Sequence, residues 1–295
     1  MQAERRILAE RAAMERNPLN LDRATVDDFG REWRRFDQSA VSGAELQRSF
    51  GEYFALFPWD RLPFDAVGFD AGCGSGRWAG LVAPRVGRLH CIDASTDALA
   101  VAQKSLAGLD NINFHAASLD AMPLDDNSMD FGYSLGVLHH LPDPAAGLAA
   151  CVRKLKRGAP MLVYIYYALD NRPAWFRLLW RASDLFRRLL SRAPFRLKSA
   201  IAEVVTACVY WPLARAAQLV ERLGGNVANW PLAAYRHRSY YGMRTDALDR
   251  FGTRIEHRMT QAQIRTLMQD AGLRDIRFRE AVPFWCAVGR KVSST

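Results

Sequence analysis

The sequence predicts an α/β fold: a doubly wound, mostly parallel seven-stranded sheet, with N-terminal helices and a helical insertion that acts as a lid. Three observations predict it. Short apolar runs alternate with helical stretches between residues 67 and 170, a glycine-rich turn follows the first run, and a helix with two further runs closes the chain. Strands that alternate with helices favour a parallel sheet, because each crossover helix returns the chain to the same edge.

Apolar runs place the individual strands. Five runs precede the insertion, at 67–70, 89–93, 112–115, 130–134 and 161–168, and two follow it, at 275–279 and 284–289. Helices are expected at 77–86, 96–107, 144–156 and 260–271. Asp143 before Pro144 is a favourable helix start, and Gly158 is a favourable stop. The closing pair of runs predicts a reversed last strand.

The chain divides into four predicted segments. Residues 1–66 form an N-terminal helical segment, in which 43–57 carries an amphipathic stripe. The core of the fold follows at 67–170, the helical lid insertion at 171–258, and the closing helix and strands of the core at 259–295.

The net charge of +9 is unevenly distributed. Counting Lys and Arg against Asp and Glu gives −2 for residues 1–66, −2 for 67–170, +7 for 171–230 and +6 for 231–295. A basic surplus first suggests nucleic acid or an anionic membrane as the partner. Nucleic acid is the less favoured of the two, since lysine is scarce and no aromatic-basic binding module is recognisable. The excess positive charge is therefore expected to reflect the surface or ligand that the insertion contacts.

Cysteine usage and hydropathy predict the cellular compartment of the protein. The five cysteines are scattered and never form a CxxC pair, which favours a reducing cytoplasm and predicts neither a disulfide framework nor a zinc site. The N-terminal residues 1–16 carry charges throughout, unlike a secretory signal. The longest uncharged apolar run, 204–214, is too short to span a bilayer. We expect no spanning helix, whereas contact with the inner face of a membrane stays open.

The glycine turn is the most informative segment, and residues 67–78 read VGFDAGCGSGRW. Gly72, Gly74 and Gly76 permit positive φ angles and let a ligand approach the backbone. A dinucleotide fingerprint would need a small residue where Arg77 stands. Asp70, at the end of the strand, suits a ligand that carries positive charge rather than a pyrophosphate.

This motif resembles the signature loop of class I S-adenosylmethionine-dependent methyltransferases, and the residues after it are similar to the ubiquinone-biosynthesis-like branch. Asp93 ends the second strand where that family uses an acidic side chain to accept both ribose hydroxyls. Residues 130–143, DFGYSLGVLHHLPD, resemble the family's fourth strand and following loop. The match covers about 65–168 and 258–290, and implies a Rossmann-like methyltransferase fold with S-adenosyl-L-methionine as cofactor.

The resemblance implies a set of cofactor-binding positions. They are Asp70, Gly72, Cys73, Gly74, Gly76, Asp93, Ala94, Ser118, Leu119, Ser134 and Leu135. The family often places Asp or Asn after its third strand to bind the adenine amino group, but Ser118 stands there. We favour Ser118 with the Leu119 amide over Asp120 for that contact.

His139 and His140 are the candidate catalytic residues. They follow the fourth strand, at the carboxyl edge where open α/β sheets bind ligands. Imidazole titrates near neutral pH, so either ring could take a proton from a hydroxyl or amine acceptor. The alternative is a loop role, with a ring bonded only to backbone. No spacing of Cys, His and acidic residues indicates a metal.

The insertion begins with a basic amphipathic helix at 175–192, in which polar residues, mostly arginine, recur every three or four positions beside a broad apolar face. It is either a lid with a solvated arginine stripe, a lid over a hydrophobic or phosphorylated lipid-like substrate, or a peripheral membrane contact. Trp33 and Phe36 in the N-terminal helices could close over the cofactor or serve packing alone.

These observations predict an S-adenosylmethionine-dependent methyltransferase for a small-molecule or lipid-like acceptor. The alternatives are an RNA or protein methyltransferase and a non-catalytic S-adenosylmethionine-binding protein. Against a nucleic-acid or protein acceptor, Ser134-Leu135-Gly136 stands where an Asn-Pro-Pro-Tyr-type motif would follow the fourth strand. Neither the methylated atom nor the oligomeric state follows from the sequence.

Overall fold

A seven-stranded sheet organises the protein, whose structure is a computed structural model that describes residues 20–292. The strands are β1 (Val67–Ala71), β2 (Arg88–Asp93), β3 (Ile112–Ala116), β4 (Phe131–Leu135), β5 (Pro160–Tyr164), β6 (Leu273–Phe278) and β7 (Cys286–Lys291). Their order is β3-β2-β1-β4-β5-β7-β6. All pairs are parallel except those of β7, which runs antiparallel to β5 and β6. The predicted seven-stranded sheet with a reversed last strand is confirmed.

Ten helices of four or more residues surround the sheet within residues 20–292. They are α1 (Arg23–Arg35), α2 (Gly43–Tyr53), α3 (Ala79–Val82), α4 (Thr96–Ser105), α5 (Pro144–Lys154), α6 (Ala174–Leu190), α7 (Phe195–Val205), α8 (Trp211–Arg222), α9 (Tyr240–Gly252) and α10 (Gln261–Asp270). A π turn, Thr206–Tyr210, joins α7 to α8. The sequence therefore located the helices and strands of the core, and one helix and one strand are clearly shorter than expected.

Both differences have local causes. The helix expected at 77–86 is α-helical only over α3 and ends in the tight turn Ala83–Arg85, because Pro84 has no amide hydrogen to continue the helix. The strand expected at 161–168 ends at Tyr164, where both neighbours also stop: Tyr164 is opposite Leu135 of β4 and Cys286 of β7.

The order of the strands determines where a ligand can bind. From β1 the chain moves outward to β2 and β3 and then returns to the other side of β1 as β4. Loops that leave β1 and β4 in opposite directions open a crevice at the carboxyl edge of such a sheet. The buried strands β1, β4 and β5 hold that crevice rigidly, since their side chains fill the core on both faces of the sheet.

The insertion, α6–α9, has a hydrophobic core of its own that also includes Phe36 from the N-terminal segment. A buried ion pair strengthens this junction, because Lys198 Nζ donates to Asp28 Oδ2 of α1 at 2.6 Å and to the Gly252 carbonyl at 2.9 Å. The N-terminal helices and the insertion therefore pack together over the sheet. The division at residues 66, 170 and 258 stays a prediction.

One helical stretch bears on the membrane expectation. The continuous helix Phe195–Arg222 is long and apolar enough to cross a bilayer by length and composition alone, and a third of its most apolar window is buried inside the protein. The expectation of no spanning helix required an uninterrupted run of uncharged apolar residues. That condition is stricter than the length and mean hydropathy that this helix meets. Core helices of soluble proteins also meet this criterion, and Ala202, Thr206 and Tyr210 are buried in the protein. The predicted absence of a secretory signal falls on residues 1–16, which lie outside the described residues.

Candidate active site

A cavity opens at the crevice between β1 and β4. Its empty space is about 900 Å³ when the open mouth is included, within the range of small-molecule sites. The glycine turn after β1, the ends of β2, β3 and β4, and helix α1 form its wall. Residues far apart in the sequence thus meet at the edge where the sequence placed the site.

The glycine turn has the backbone that only glycine adopts easily. Gly72, Gly74 and Gly76 have φ angles of +84°, +54° and +78°. A Cβ on Gly72 would lie 2.4 Å from a methyl of Val137. Gly72 and Gly74 line the cavity with Cys73, whereas Gly76 lies outside it, where a Cβ would press against Leu106. Gly76 therefore permits close helix packing and does not face the cavity.

Asp93 lies in the cavity wall and also holds the turn in shape. Its Oδ2 accepts from the Gly74 amide at 2.9 Å and its Oδ1 from the Ser95 amide at 2.8 Å. Burial raises the pKa of this carboxyl, and the two amide bonds oppose that rise. A carboxylate has about four acceptor positions, so each oxygen keeps capacity for a hydroxyl donor. Its neighbour Ala94 also lines the cavity.

Asp70 lies beneath the turn and does not line the cavity. Its side chain is 1% exposed, and its Oδ2 has no hydrogen-bond partner among the described residues. Burial raises its pKa to about 8, although the hydroxyl of Tyr133 lowers it. An unpartnered buried carboxyl at this point fits a cationic ligand group above the turn, because an approaching positive charge would favour the ionised form.

The far side of the cavity contains the residues expected near the adenine. Ser118 and Leu119 are in the wall, and the buried Ser118 Oγ has no hydrogen-bond partner among residues 20–292. Asp120 lies outside the wall and interacts with Arg153. Leu135 also faces the cavity, whereas the buried Ser134 Oγ donates to the Ala71 carbonyl at 2.9 Å. Ser134 therefore links β4 to β1 instead.

Helix α1 covers the cavity. Trp33 lines it and packs over the turn so closely that a Cβ on Gly74 would lie 3.1 Å from the indole ring. Phe29 packs against the ring of His140, with 5.0 Å between ring centroids. Phe36 is directed away and lies in the core of the insertion. Of the two aromatic residues expected to cover the cofactor, Trp33 is at the cavity and Phe36 serves packing.

The two histidines occupy different environments. His140 lines the cavity, and its Nδ1 is 2.7 Å from the Ile255 carbonyl. His139 lies behind it, fully buried and stacked on Tyr166, and both its ring nitrogens lack hydrogen-bond partners in the described chain. Burial holds the pKa of His139 well below its usual range, and His140 lowers it further. Only His140 is placed to meet a ligand.

The insertion contributes a carboxylate that the sequence analysis missed. Asp249 of α9 has its Oδ1 3.6 Å from His140 Nε2, and its Oδ2 accepts a hydrogen bond from the Tyr166 hydroxyl. Burial and Asp249 together raise the pKa of Tyr166 well above its usual range. No motif marks this region; its signal is the acidic pair Asp246 and Asp249, on one face of a helix in a basic segment.

This arrangement assigns protons to the His140 ring. Because a carbonyl can only accept, Nδ1 carries the hydrogen that is donated to Ile255. The neutral ring therefore has its lone pair on Nε2, which has no hydrogen-bond partner in the described residues. Within residues 20–292, no group of three or more His, Cys, Asp or Glu side chains could hold a metal ion.

Comparisons with known proteins match the part of the chain that contains the glycine turn and the strands beside it. Residues 69–163 match the methyltransferase domain family. The chain is 30% identical over 145 residues to a ubiquinone biosynthesis O-methyltransferase of Paracidovorax citrulli, an alignment that covers 47% of this chain and 59% of that protein. The chain spans about half the length of the ubiquinone-biosynthesis relatives that it matches.

Solved structures share the fold. A Methanosarcina mazei S-adenosylmethionine-dependent methyltransferase aligns with a TM-score of 0.50 at 18% identity, over 81% of this chain and 99% of that one. A chain of the Haloferax volcanii complex between a methyltransferase and the Trm112 activator aligns with a TM-score of 0.51 at 16% identity, over 92% and 99%. Residues 69–163 therefore match a methyltransferase domain, and the fold around them is shared with solved methyltransferases.

Proposed function

We propose that this protein transfers a methyl group from S-adenosylmethionine to a hydroxyl oxygen of a small, lipid-like acceptor. The observation that carries the proposal is the position of His140: its ring lines the cavity, and its buried Nε2 has no hydrogen-bond partner among the described residues and lies 3.6 Å from Asp249 Oδ1. The similarity to a ubiquinone biosynthesis O-methyltransferase supports an oxygen acceptor. A neutral imidazole with a free nitrogen suits a hydroxyl, which must lose a proton as it reacts.

The residues in the cavity wall fit the cofactor. The ionised Asp93 would accept both ribose hydroxyls, the glycine turn would approach the methionine end, and Ser118 with the Leu119 amide would bond the adenine. Asp70, through the turn, would favour the positive charge of the methionine end. When bound, the cofactor supplies a methyl group already activated by the sulfonium charge, so the protein chiefly has to align and protect it.

The protein's part in transfer is to manage one proton. His140 would take up the hydroxyl proton of the acceptor at Nε2, while the cofactor held by the residues above would supply the methyl group. Asp249 then stabilises the imidazolium, whose Nδ1 hydrogen stays on the Ile255 carbonyl and keeps the ring oriented. This division of roles makes His140 the catalytic base and Asp249 its positioning residue.

The cavity lining favours an apolar acceptor. Val26 and Phe29 of α1 and Leu141 after β4 face the space beside His140. These side chains exclude water from the reacting atoms and offer an apolar surface to a ring or an acyl chain. The small-molecule class of the acceptor rests on this surface and on the enclosed cavity under α1.

Calorimetric titration with S-adenosylmethionine tests the cofactor part of the proposal. The wild-type protein should bind, and Asp93→Ala should weaken binding about tenfold or more, because charge-assisted bonds of roughly 1.5–3 kcal/mol are lost. Asp110→Ala removes an exposed carboxylate of the same domain and serves as the control. No heat at millimolar cofactor would refute cofactor binding, and an unchanged affinity of the Asp93 variant would remove Asp93 from the site.

Transfer of a labelled methyl group tests the chemistry, with an alkyl-substituted catechol and a matched alkylamine as acceptor probes. We expect transfer to the catechol, and a loss of about a hundredfold or more in His140→Ala with the cofactor affinity kept. His237→Ala, an exposed histidine in the insertion, is the control. Transfer to the amine alone would contradict an oxygen acceptor, and cofactor binding without transfer to either probe would favour a non-catalytic binding protein.

A further inference from the structure

Helix α6 presents three different faces along its length. One face is buried and includes Arg187 and Leu190, which are about 6% and 5% exposed. A second face is apolar and open to solvent. Its large side chains are Trp175, Leu178, Leu179, Leu185, Phe186 and Leu189, from 43% to 71% exposed. At 100° per residue these six positions form one continuous stripe along the helix.

The third face of α6 is basic. Arg177, Arg181 and Arg188 lie between the apolar stripe and the buried face and are exposed. Arg177 and Arg181 make no hydrogen bond or ion pair with any residue that the structure describes. The helix's one acidic residue, Asp184, is buried between Arg187 and Arg188. Every exposed charge on α6 is therefore positive, and all of it borders the apolar stripe.

The arginine face also borders an open cavity. Arg177, Arg181 and Arg188 line it together with Arg258 and Trp180, in an empty space of about 770 Å³ that includes its mouth. Five arginines and two acids, Asp184 and Glu256, line this cavity, which gives it a surplus of positive charge. An anionic group is the ligand that such a surface attracts.

We propose that α6 docks this protein on an anionic phospholipid membrane. The helix would lie in the plane of the interface, with its apolar stripe among the acyl chains and its arginines at the level of the lipid phosphates. Anionic lipids of the cytoplasmic leaflet provide that surface. The proposal goes beyond methyl transfer and does not depend on it.

Charge favours a membrane over a second copy of the chain. In a two-fold dimer the same patch meets itself, so the arginine faces of both copies would come close together and repel. An anionic bilayer offers apolar chains for the stripe and phosphates for the arginines at once. A transmembrane role for α6 does not fit, because Arg187 on its opposite face donates to the Thr253 carbonyl and Leu190 lies in the insertion core.

Sedimentation with vesicles tests the docking. One set of vesicles contains phosphatidylcholine alone, and the other contains phosphatidylcholine and phosphatidylglycerol in equal parts. We expect the full chain to bind the mixed vesicles, with an affinity that falls as salt is raised. Removing both free arginines, in Arg177→Gln with Arg181→Gln, should lower the partition coefficient about fivefold for each arginine. Arg157→Gln, on an exposed turn of the core, is the control for the loss of one positive charge outside α6.

A second pair of variants tests the apolar stripe. Leu185→Gln with Leu189→Gln should weaken binding more than tenfold, because two exposed leucines no longer enter the acyl region. Phe64→Gln removes a side chain that is 99% exposed outside α6 and should bind as the wild type does. Equal binding of all variants, or equal binding to neutral and mixed vesicles, would overturn the proposal.

Light scattering tests whether a second copy of the chain, instead of a membrane, covers the apolar stripe. A dimer that the leucine variants convert to monomer, with no vesicle binding by the wild type, would overturn the proposal in favour of self-association. The cofactor titration on the same variants should be unchanged, since none of these residues lines the cofactor cavity. Failure of docking is thereby separated from failure of the proposed function.

Discussion

Two buried charged residues show how differently the sheet and the insertion use charge. Asp70 at the end of β1 is 1% exposed, and Lys198 in α7 is 2% exposed. Lys198 has two oxygen partners, Asp28 and the Gly252 carbonyl, whereas Asp70 Oδ2 has none among the described residues. A buried charge with partners holds a fold together, whereas a buried carboxyl without a partner keeps its proton and can ionise when a cationic ligand approaches.

The same contrast extends to the two regions. The sheet region holds its functional carboxylates, Asp70 and Asp93, at strand ends beside the cavity, and its net charge is −2 over residues 67–170. The insertion carries +7 over 171–230; among its cations, Lys198 ties it to α1, whereas Arg177 and Arg181 are exposed beside the apolar stripe. The acidic region therefore carries the residues of the proposed cofactor site, and the basic region carries the surface that we propose binds a membrane.

The largest expected effect comes from breaking the paired charge. Lys198→Met leaves Asp28 with only the exposed Arg31, 3.5 Å from its Oδ1, and leaves the Gly252 carbonyl without its lysine donor. The free energy of unfolding should fall by about 3 kcal/mol, as measured by urea denaturation. Adding Asp28→Leu to Lys198→Met should recover much of that loss, because no uncompensated charge stays behind. If the single variant were as stable as the wild type, Lys198 would not join the insertion to α1.

A smaller effect is expected at the glycine turn after β1, which lies above Asp70 and whose Gly74 amide donates to Asp93. Gly72→Ala places a methyl group where Val137 already lies and at a φ angle of +84°. We expect cofactor affinity to fall about a hundredfold, roughly 2.7 kcal/mol, since the turn must shift away from the cavity. Gly108→Ala is the control, because a Cβ there meets nothing within 4 Å and its φ is not positive. An unchanged affinity in calorimetry would exclude the turn from the binding site.

The sequence predicted the sheet region better than the insertion, and there is a physical reason. Each strand must supply its own apolar run and each core helix its own cap, so the information lies within short windows. Ser95, Asp143 and Thr260, for example, all cap helices through side-chain bonds to nearby amides. The glycine turn is local in the same way, and its three positive φ angles follow from one short motif.

The pairing of His140 with Asp249 could not be predicted from short sequence windows. The two residues are more than a hundred positions apart, and the fold of the insertion brings them together: beyond α9 the chain returns to this turn, where the His257 amide donates to the His139 carbonyl at 2.9 Å. Nothing in the motif HH distinguishes the two rings either. The Ile255 carbonyl, at the far end of the insertion, orients His140, while Tyr166 covers His139.

The unpartnered carboxyl of Asp70 gives the last prediction. Its expected effect on stability is the smallest and depends on pH. The carboxyl has an ordinary pKa of 3.8 in the unfolded chain and about 8 in the folded one. Between these values only the unfolded chain releases the proton, so stability falls as pH rises. Asp70→Asn cannot titrate, and its stability relative to the wild type should rise by about 2 kcal/mol between about pH 6 and pH 8.

Thermal and urea unfolding of Asp70→Asn at both pH values measure this difference, with Asp110→Asn as an exposed control. Parallel loss of stability in the variant and the wild type would mean that Asp70 is ionised and already paired in the folded protein. Cofactor affinity should change in the opposite sense, falling in Asp70→Asn, because the amide cannot supply negative charge to the methionine end. A variant that gains stability and loses cofactor affinity would establish that Asp70 serves the ligand at the expense of stability. Lys198, by contrast, stabilises the fold through its two oxygen partners.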